Sequence, residues 1–177
     1  MAVDEPARIK RLIILNTWAF VYEEDAPMHP LLERFREPGL GQALGQGLNL
    51  FVEGYLPQGI HHKERLADTM PFYRAPFPDY ASRIGTLRFP QDIPAGESHP
   101  ATPVMRHIEE NLTTLQVPTA IIWGDRDPDF TSDVADQWQA VYPHAERHHI
   151  ATASHFLQED EPDMILGLIE DFLERNP

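Results

Sequence analysis

Apolar positions along the chain fall into short unbroken runs and, between and after them, into helical stripes. Residues 11–15 (RLIIL) and 118–123 (PTAIIW, closed by Gly124) are continuous, not alternating, as in strands covered on both faces of a parallel sheet. A third strand is expected over 145–150 (AERHHI). Residues 102–115 open on Thr-Pro and carry Val104, Ile108, Leu112 and Leu115 at helical spacing. Residues 132–141 align Val134, Trp138 and Val141, and residues 162–173 repeat Ile165, Leu168, Ile169, Phe172 and Leu173. Strands alternating with helices predict an α/β fold.

A different texture separates the first two strands. Residues 20–100 are rich in Pro, Gly, aromatics and His, with short helices expected near 30–36, 40–55 and 63–70. PFYRAPFPDY and RFPQDIP read as turns between them. So long an insertion between strands is too organised for a loop and predicts a small helical cap. The expected organisation is a first core strand in 1–19, a cap in 20–100 and the remaining core in 101–177.

Charge narrows the partners. Fourteen Lys and Arg against 28 Asp and Glu leave a net charge of −14, which argues against a nucleic-acid partner. The absence of cysteine excludes a disulfide framework and a thiolate zinc site and fits a reducing, cytoplasmic setting. No apolar run is long enough to span a bilayer, so no membrane role is expected.

Two loops carry candidate chemistry. Trp123-Gly124-Asp125-Arg126-Asp127-Pro128 follows the second strand, and ligands in open α/β sheets bind beyond the carboxyl ends of strands. Asp125 reads as a turn former; Asp127 reads equally as a turn former or as the acid that orients a catalytic His. A calcium loop does not fit, because Phe130 stands where that loop needs Gly and Asp136 where it needs Glu. After the third strand, Ala153-Ser154-His155 places a His at a strand-to-helix turn. There it serves either as a surface or capping residue or as a general base. Acid and then His on successive strand ends is the chain order of α/β-hydrolases. His61, His62, His148 and His149 are read as solvated or buried side chains, so no metal or other cofactor is expected. Trp18 and Phe156 are candidates for lining a substrate pocket and equally for packing.

The strings LIILNTWAF, YRAPFPDYASR, LRFPQDIP, WGDRDPDF and SHFLQEDEP together resemble haloalkane dehalogenases and their close α/β-hydrolase relatives. The resemblance covers nearly the whole chain and implies the C-terminal part of an α/β-hydrolase, about three strands with a helical cap. It implies that His155 is the base and Asp127 its acid, acting on a small apolar substrate through an alkyl-enzyme ester. One branch of the family carries its acid after the earlier strand; the corresponding residue here is read as Thr17, which cannot ionise. An epoxide, ester or β-lactone substrate remains open, as does a non-catalytic protein that pairs its open edge with a partner or with itself.

No Gly-x-Asp-x-Gly or Gly-x-Ser-x-Gly elbow occurs in the sequence, and Ser154, beside His155, cannot present its hydroxyl as an elbow does. Residues 1–9 resemble the end of the helix that follows the elbow in the family. The expectation is a chain that begins one helix late, lacks the nucleophile, is inactive alone, and exposes RLIIL as an edge for pairing or self-association.

Overall fold

The computed structural model describes residues 2–22 and 28–177; Met1 and the part of the expected cap at 23–27 lie outside them. Two compact units form, one from 1–21 with 103–177 and the other from 22–102.

The first unit is built on a parallel sheet of β1 (Leu12–Leu15), β2 (Thr119–Gly124) and β3 (Glu146–Ile150), in that spatial order. Ile14 lies opposite Ile121, and Ile122 opposite His148. Four helices belong to this unit: α1 (Thr102–Asn111, with Thr102 at its boundary), α2 (Ser132–Val141), α3 (Leu157–Asp160) and α4 (Pro162–Arg175). Strand alternation sends neighbouring residues to opposite faces. Ile14, Ile121 and Trp123 pack with Leu112, Val134, Ala135 and Trp138, whereas Ile122 and Ile150 pack with Leu157 and Ile165. Helices therefore cover both faces, and β2 is buried along its whole length. β1 is an edge among the described residues, and only Ile14 of it is fully buried.

The expected stripes were partly displaced. Val104 is 61% exposed, and the helix meant to bury it gives way to a 3-10 turn at Leu112–Thr114, through which Leu112 and Leu115 reach the core. Leu173 is exposed as well, while Ile165 and Phe172 are buried. Residues 6–8 form a 3-10 turn rather than the end of an α-helix.

The second unit is helical, with a core that includes Leu32, Phe35, Val52, Tyr55, Leu56, Ile60, Met70 and Leu87. Pro30–Arg36 is a helix, as expected. The continuous helix expected at 40–55 is instead broken into π-helical segments Ala43–Gly47 and Phe51–Tyr55, separated at Asn49, whose φ is +52°. The glycines that loosen this stretch also allow close packing: a Cβ at Gly41 would fall 2.1 Å from the Phe35 carbonyl oxygen. The two segments read as turns begin inside helices, Pro71 within Leu66–Arg74 and Pro90 within Ile84–Gln91, and become turns only after Arg74 and Gln91. Pro90 stands in the last turn, where the missing N–H costs one bond. No helix among the described residues is long and apolar enough to cross a membrane.

Candidate active site

The carboxyl ends of the three strands each contribute one polar side chain to a buried cluster. Asp127 follows β2 in a tight turn in which its own Oδ1 accepts from the Asp129 N–H at 2.8 Å and the Phe130 N–H at 3.0 Å. This is the Asx-turn geometry that a loop Asp favours. The second oxygen, Oδ2, lies 2.9 Å from Nδ1 of His155, which follows β3, and 2.7 Å from Nδ2 of Asn16, which follows β1. One oxygen of Asp127 therefore closes the turn, and the other faces His155 and Asn16.

Asp127 is 4% exposed. Burial alone would raise its pKa. The hydrogen bond from His155 and its charge, the Asn16 amide and the Phe130 N–H outweigh that penalty and hold the carboxyl below its ordinary value of 3.8. An ionised carboxylate only accepts hydrogen bonds, so Nδ1 of His155 carries the proton of the pair.

Asn16 was not foreseen. Its Oδ1 accepts from the Gly124 N–H at 2.7 Å and its Nδ2 lies 3.3 Å from the Gly124 carbonyl, so one amide reads the last peptide of β2 while holding Asp127. Its φ of +22° is a backbone conformation that Asn tolerates better than most residues. Thr17, the position read as the alternative acid site, is exposed and gives only its carbonyl, to the Trp138 indole N–H at 2.9 Å. The signal that could have pointed to Asn16 is a polar side chain at the carboxyl end of the strand beside the one that bears Asp127.

Aromatic rings flank the imidazole. Phe156 stands edge-on to His155 at 4.9 Å between centroids, and Phe130 lies at 5.4 Å. Trp18 stacks on Phe130 at 6.0 Å while its indole N–H donates to the Phe20 carbonyl, so both pocket candidates lie within one ring contact of His155 or of its neighbour. Phe130, which joins them, escaped notice because it was weighed only against a calcium loop.

The two loops are held together by backbone. Arg126 N–H donates to the Ala153 carbonyl at 2.9 Å, and Asp125 N–H to the Ile150 carbonyl at 3.1 Å. Gly124 permits the approach, because a Cβ there would meet the Ser154 and Ala153 carbonyl oxygens at 2.6 and 2.8 Å. Ser154 is buried and its hydroxyl donates to the Arg126 carbonyl at 3.1 Å, which leaves it in a structural position.

Among the described residues, Asp127, Asp129 and His155 bring ligand atoms within 4.8 Å of one another. A metal there would have to displace the donors already on both Asp127 oxygens, so the donor set fits a His–Asp pair better. Of the other histidines singled out, three meet a carboxylate, His62 with Glu64 at 3.0 Å, His149 with Asp125 at 2.9 Å and His148 with Glu146 at 3.7 Å, and His61 stands edge-on to His62.

No family model matches the chain. It is 35% identical over 173 residues to a cis-3-alkyl-4-alkyloxetan-2-one decarboxylase of Shewanella oneidensis, an alignment that covers 97% of this chain and 54% of that protein. It is 31% identical over 170 residues to haloalkane dehalogenase 2 of Mycobacterium tuberculosis, covering 96% of this chain and 57% of the relative. An ancestral haloalkane dehalogenase (node 2) superposes with a TM-score of 0.83 at 28% identity, covering 98% of this chain and 63% of that one. Haloalkane dehalogenase DbeA of Bradyrhizobium elkanii superposes at 0.81 with 25% identity. The chain thus spans a little over half the length of the curated relatives it matches and has the fold of the C-terminal part of an α/β-hydrolase.

Proposed function

We propose that this chain, an α/β-hydrolase in fold and a relative of haloalkane dehalogenases, supplies the base and acid of a hydrolytic site whose nucleophile lies outside these 177 residues. The observation that carries this reading is the 2.9 Å bond between His155 Nδ1 and a buried, ionised Asp127 at adjacent strand ends.

In the proposed reaction a carboxylate attacks the carbon bearing a halogen, and the halide leaves with the bonding pair. The product is an alkyl ester. Nε2 of His155 takes a proton from water as the water oxygen adds to the ester carbonyl. Asp127 stabilises the resulting imidazolium, which returns the proton to the departing alkoxide. Alcohol is released, and the carboxyl group gives the second proton of the water to solvent, which regenerates the carboxylate. Trp18, Phe130 and Phe156 would give an apolar substrate its walls. The nucleophile would be brought by a strand added along the outer edge of β1, the side that pairs with nothing else among the described residues.

A second reading takes a β-lactone instead of a haloalkane. Its support is the 35% identity to a protein named for decarboxylating an oxetan-2-one, a four-membered lactone ring. One experiment tests both. The chain is assayed alone, and then mixed with or fused to the remaining segment of the Shewanella relative, for halide release from haloalkanes and carbon dioxide release from an alkylated oxetanone. We expect no turnover by the chain alone and one of the two activities in the combined protein, lost in His155→Ala. Turnover by the chain alone, or a combined protein indifferent to His155→Ala, refutes the proposal.

A further inference from the structure

Asp160 is a carboxylate with no accessible surface, on the last residue of α3. It faces inward because Leu157, 2% exposed, lies three residues earlier on the same helical face. A buried carboxylate is unfavourable unless it is hydrogen-bonded, and an apolar side chain would fill this place at less cost. Asp160 Oδ2 accepts from the Ser154 N–H at 2.8 Å, one residue before His155.

Ser154 is the point where three segments meet. Its N–H is held by Asp160 and its hydroxyl by the Arg126 carbonyl, while the Arg126 N–H holds the carbonyl of Ala153. Arg126 immediately precedes Asp127. The Ser154 peptide is therefore tied on one side to the loop that carries the acid and on the other to Asp160. Moving it by a fraction of a hydrogen-bond length moves Nδ1 of His155 relative to Oδ2 of Asp127. The neighbouring Glu161 adds a second, exposed tie, accepting from the Thr152 hydroxyl at 2.5 Å.

We propose that Asp160 is a positioning residue for His155, acting through the Ser154 peptide, an inference that rests on the His155–Asp127 pairing above. Asp160 touches no reacting atom. Its work is to supply an acceptor oxygen at one fixed place, so Asn, which keeps such an oxygen and nearly the same shape, should substitute for it.

The test follows the His155 Nδ1–H by ¹H–¹⁵N NMR of the 177-residue chain, assigned by its loss in His155→Gln, with the β2 amides as the internal reference for global opening. Asp160→Ala is expected to speed exchange of the His155 Nδ1–H with water about tenfold more than it speeds exchange of the β2 amides. Asp160→Asn is expected to leave both within twofold of the parent. The proposal is overturned if Asp160→Ala raises both rates by the same factor, if it does not fold, or if Asp160→Asn behaves as the Ala variant does. A parent chain with no such resonance refutes the His155–Asp127 pairing and this inference with it. A resonance indifferent to Asp160 refutes this inference alone.

Discussion

Replacing Asn16 with Ala should destabilise the first unit by about 3 kcal/mol, several times the effect of replacing its neighbour Thr17. The Asn16 amide makes two bonds to the Gly124 peptide and one to Asp127, at 2.7, 3.3 and 2.7 Å, in a place where the side chain is 6% exposed. Truncation leaves the buried Gly124 N–H without its acceptor, a loss of about 1–3 kcal/mol, and removes a bond to an ionised group that contributes about 1.5–3 kcal/mol. Bonds made by one side chain do not add, so the total is set near 3 kcal/mol rather than at the sum. Alanine also tolerates the +22° φ less well than Asn, which works in the same direction. Urea unfolding monitored by the buried Trp123 and Trp138 measures the difference. With an m-value of about 2 kcal/mol per molar, the midpoint should fall by about 1.5 M. Thr17→Ala, at an exposed position, should stay within about 0.5 kcal/mol of the parent. Equal midpoints for Asn16→Ala and the parent would refute the claim that this amide joins the strand ends.

Two further outcomes follow from the same cluster. Asp127 titrates below 3.8 in the folded chain, so its contribution to stability is present above that value and is lost as pH falls through the folded pKa. Thermal melts from pH 7 to pH 2 should therefore show a shallower acid limb in Asp127→Asn than in the parent below about pH 4, and parallel limbs would contradict the assignment. Gly124→Ala places a methyl 2.6 Å from the Ser154 carbonyl and 2.8 Å from that of Ala153, both backbone atoms that cannot swing aside. It should destabilise by about 2 kcal/mol or more by calorimetry, and an unchanged melting temperature would show that the two loops are not locked together.

How far the sequence reveals this arrangement depends on the range of each interaction. β2 could be read from 118–123 because a strand buried on both faces must be apolar at every position, and its burial is uniform. The helix Ser132–Val141 could be read because Val134 and Trp138 both reach the core. Proline misled the reading at 71–74 and 88–91, where Pro71 and Pro90 look like breaks yet each sits inside a helix, whereas the turns expected after them are present. Between Gly39 and Tyr55 the period counted as α-helical is interrupted by π-helical segments and a positive φ, which depend on how Gly41 and Gly45 pack against Phe35 and Leu87. In the candidate site, Asp127 and His155 were accessible because each stands on the loop that follows a strand and carries ionisable chemistry. Asn16 binds backbone groups of Gly124, 108 residues away, and nothing local marks such a partner; Asp160 binds the Ser154 N–H six residues back, but the acidic run 159–161 does not single it out.

The direction in which the cluster leans bears on where the remaining chemistry would come from. Hydrogen bonds run across the strand ends in spatial order, from Asn16 after β1 to Asp127 after β2, and from His155 after β3 back to that same Asp127 oxygen. The rings follow the same path: His155 meets Phe130, and Phe130 stacks on Trp18. Neighbouring strands stand about 4.8 Å apart, so a His that reached no further than its own strand end would lie two strands away from β1. The turn after β3 is instead bonded through Arg126 to the loop after β2, where the imidazole meets Asp127. Under the proposed reaction, a nucleophile delivered along the outer edge of β1 would approach this cluster from the Asn16 side, so the mixing experiment should use a segment able to pair there in parallel, and blocking that edge should abolish any activity the combined protein acquires.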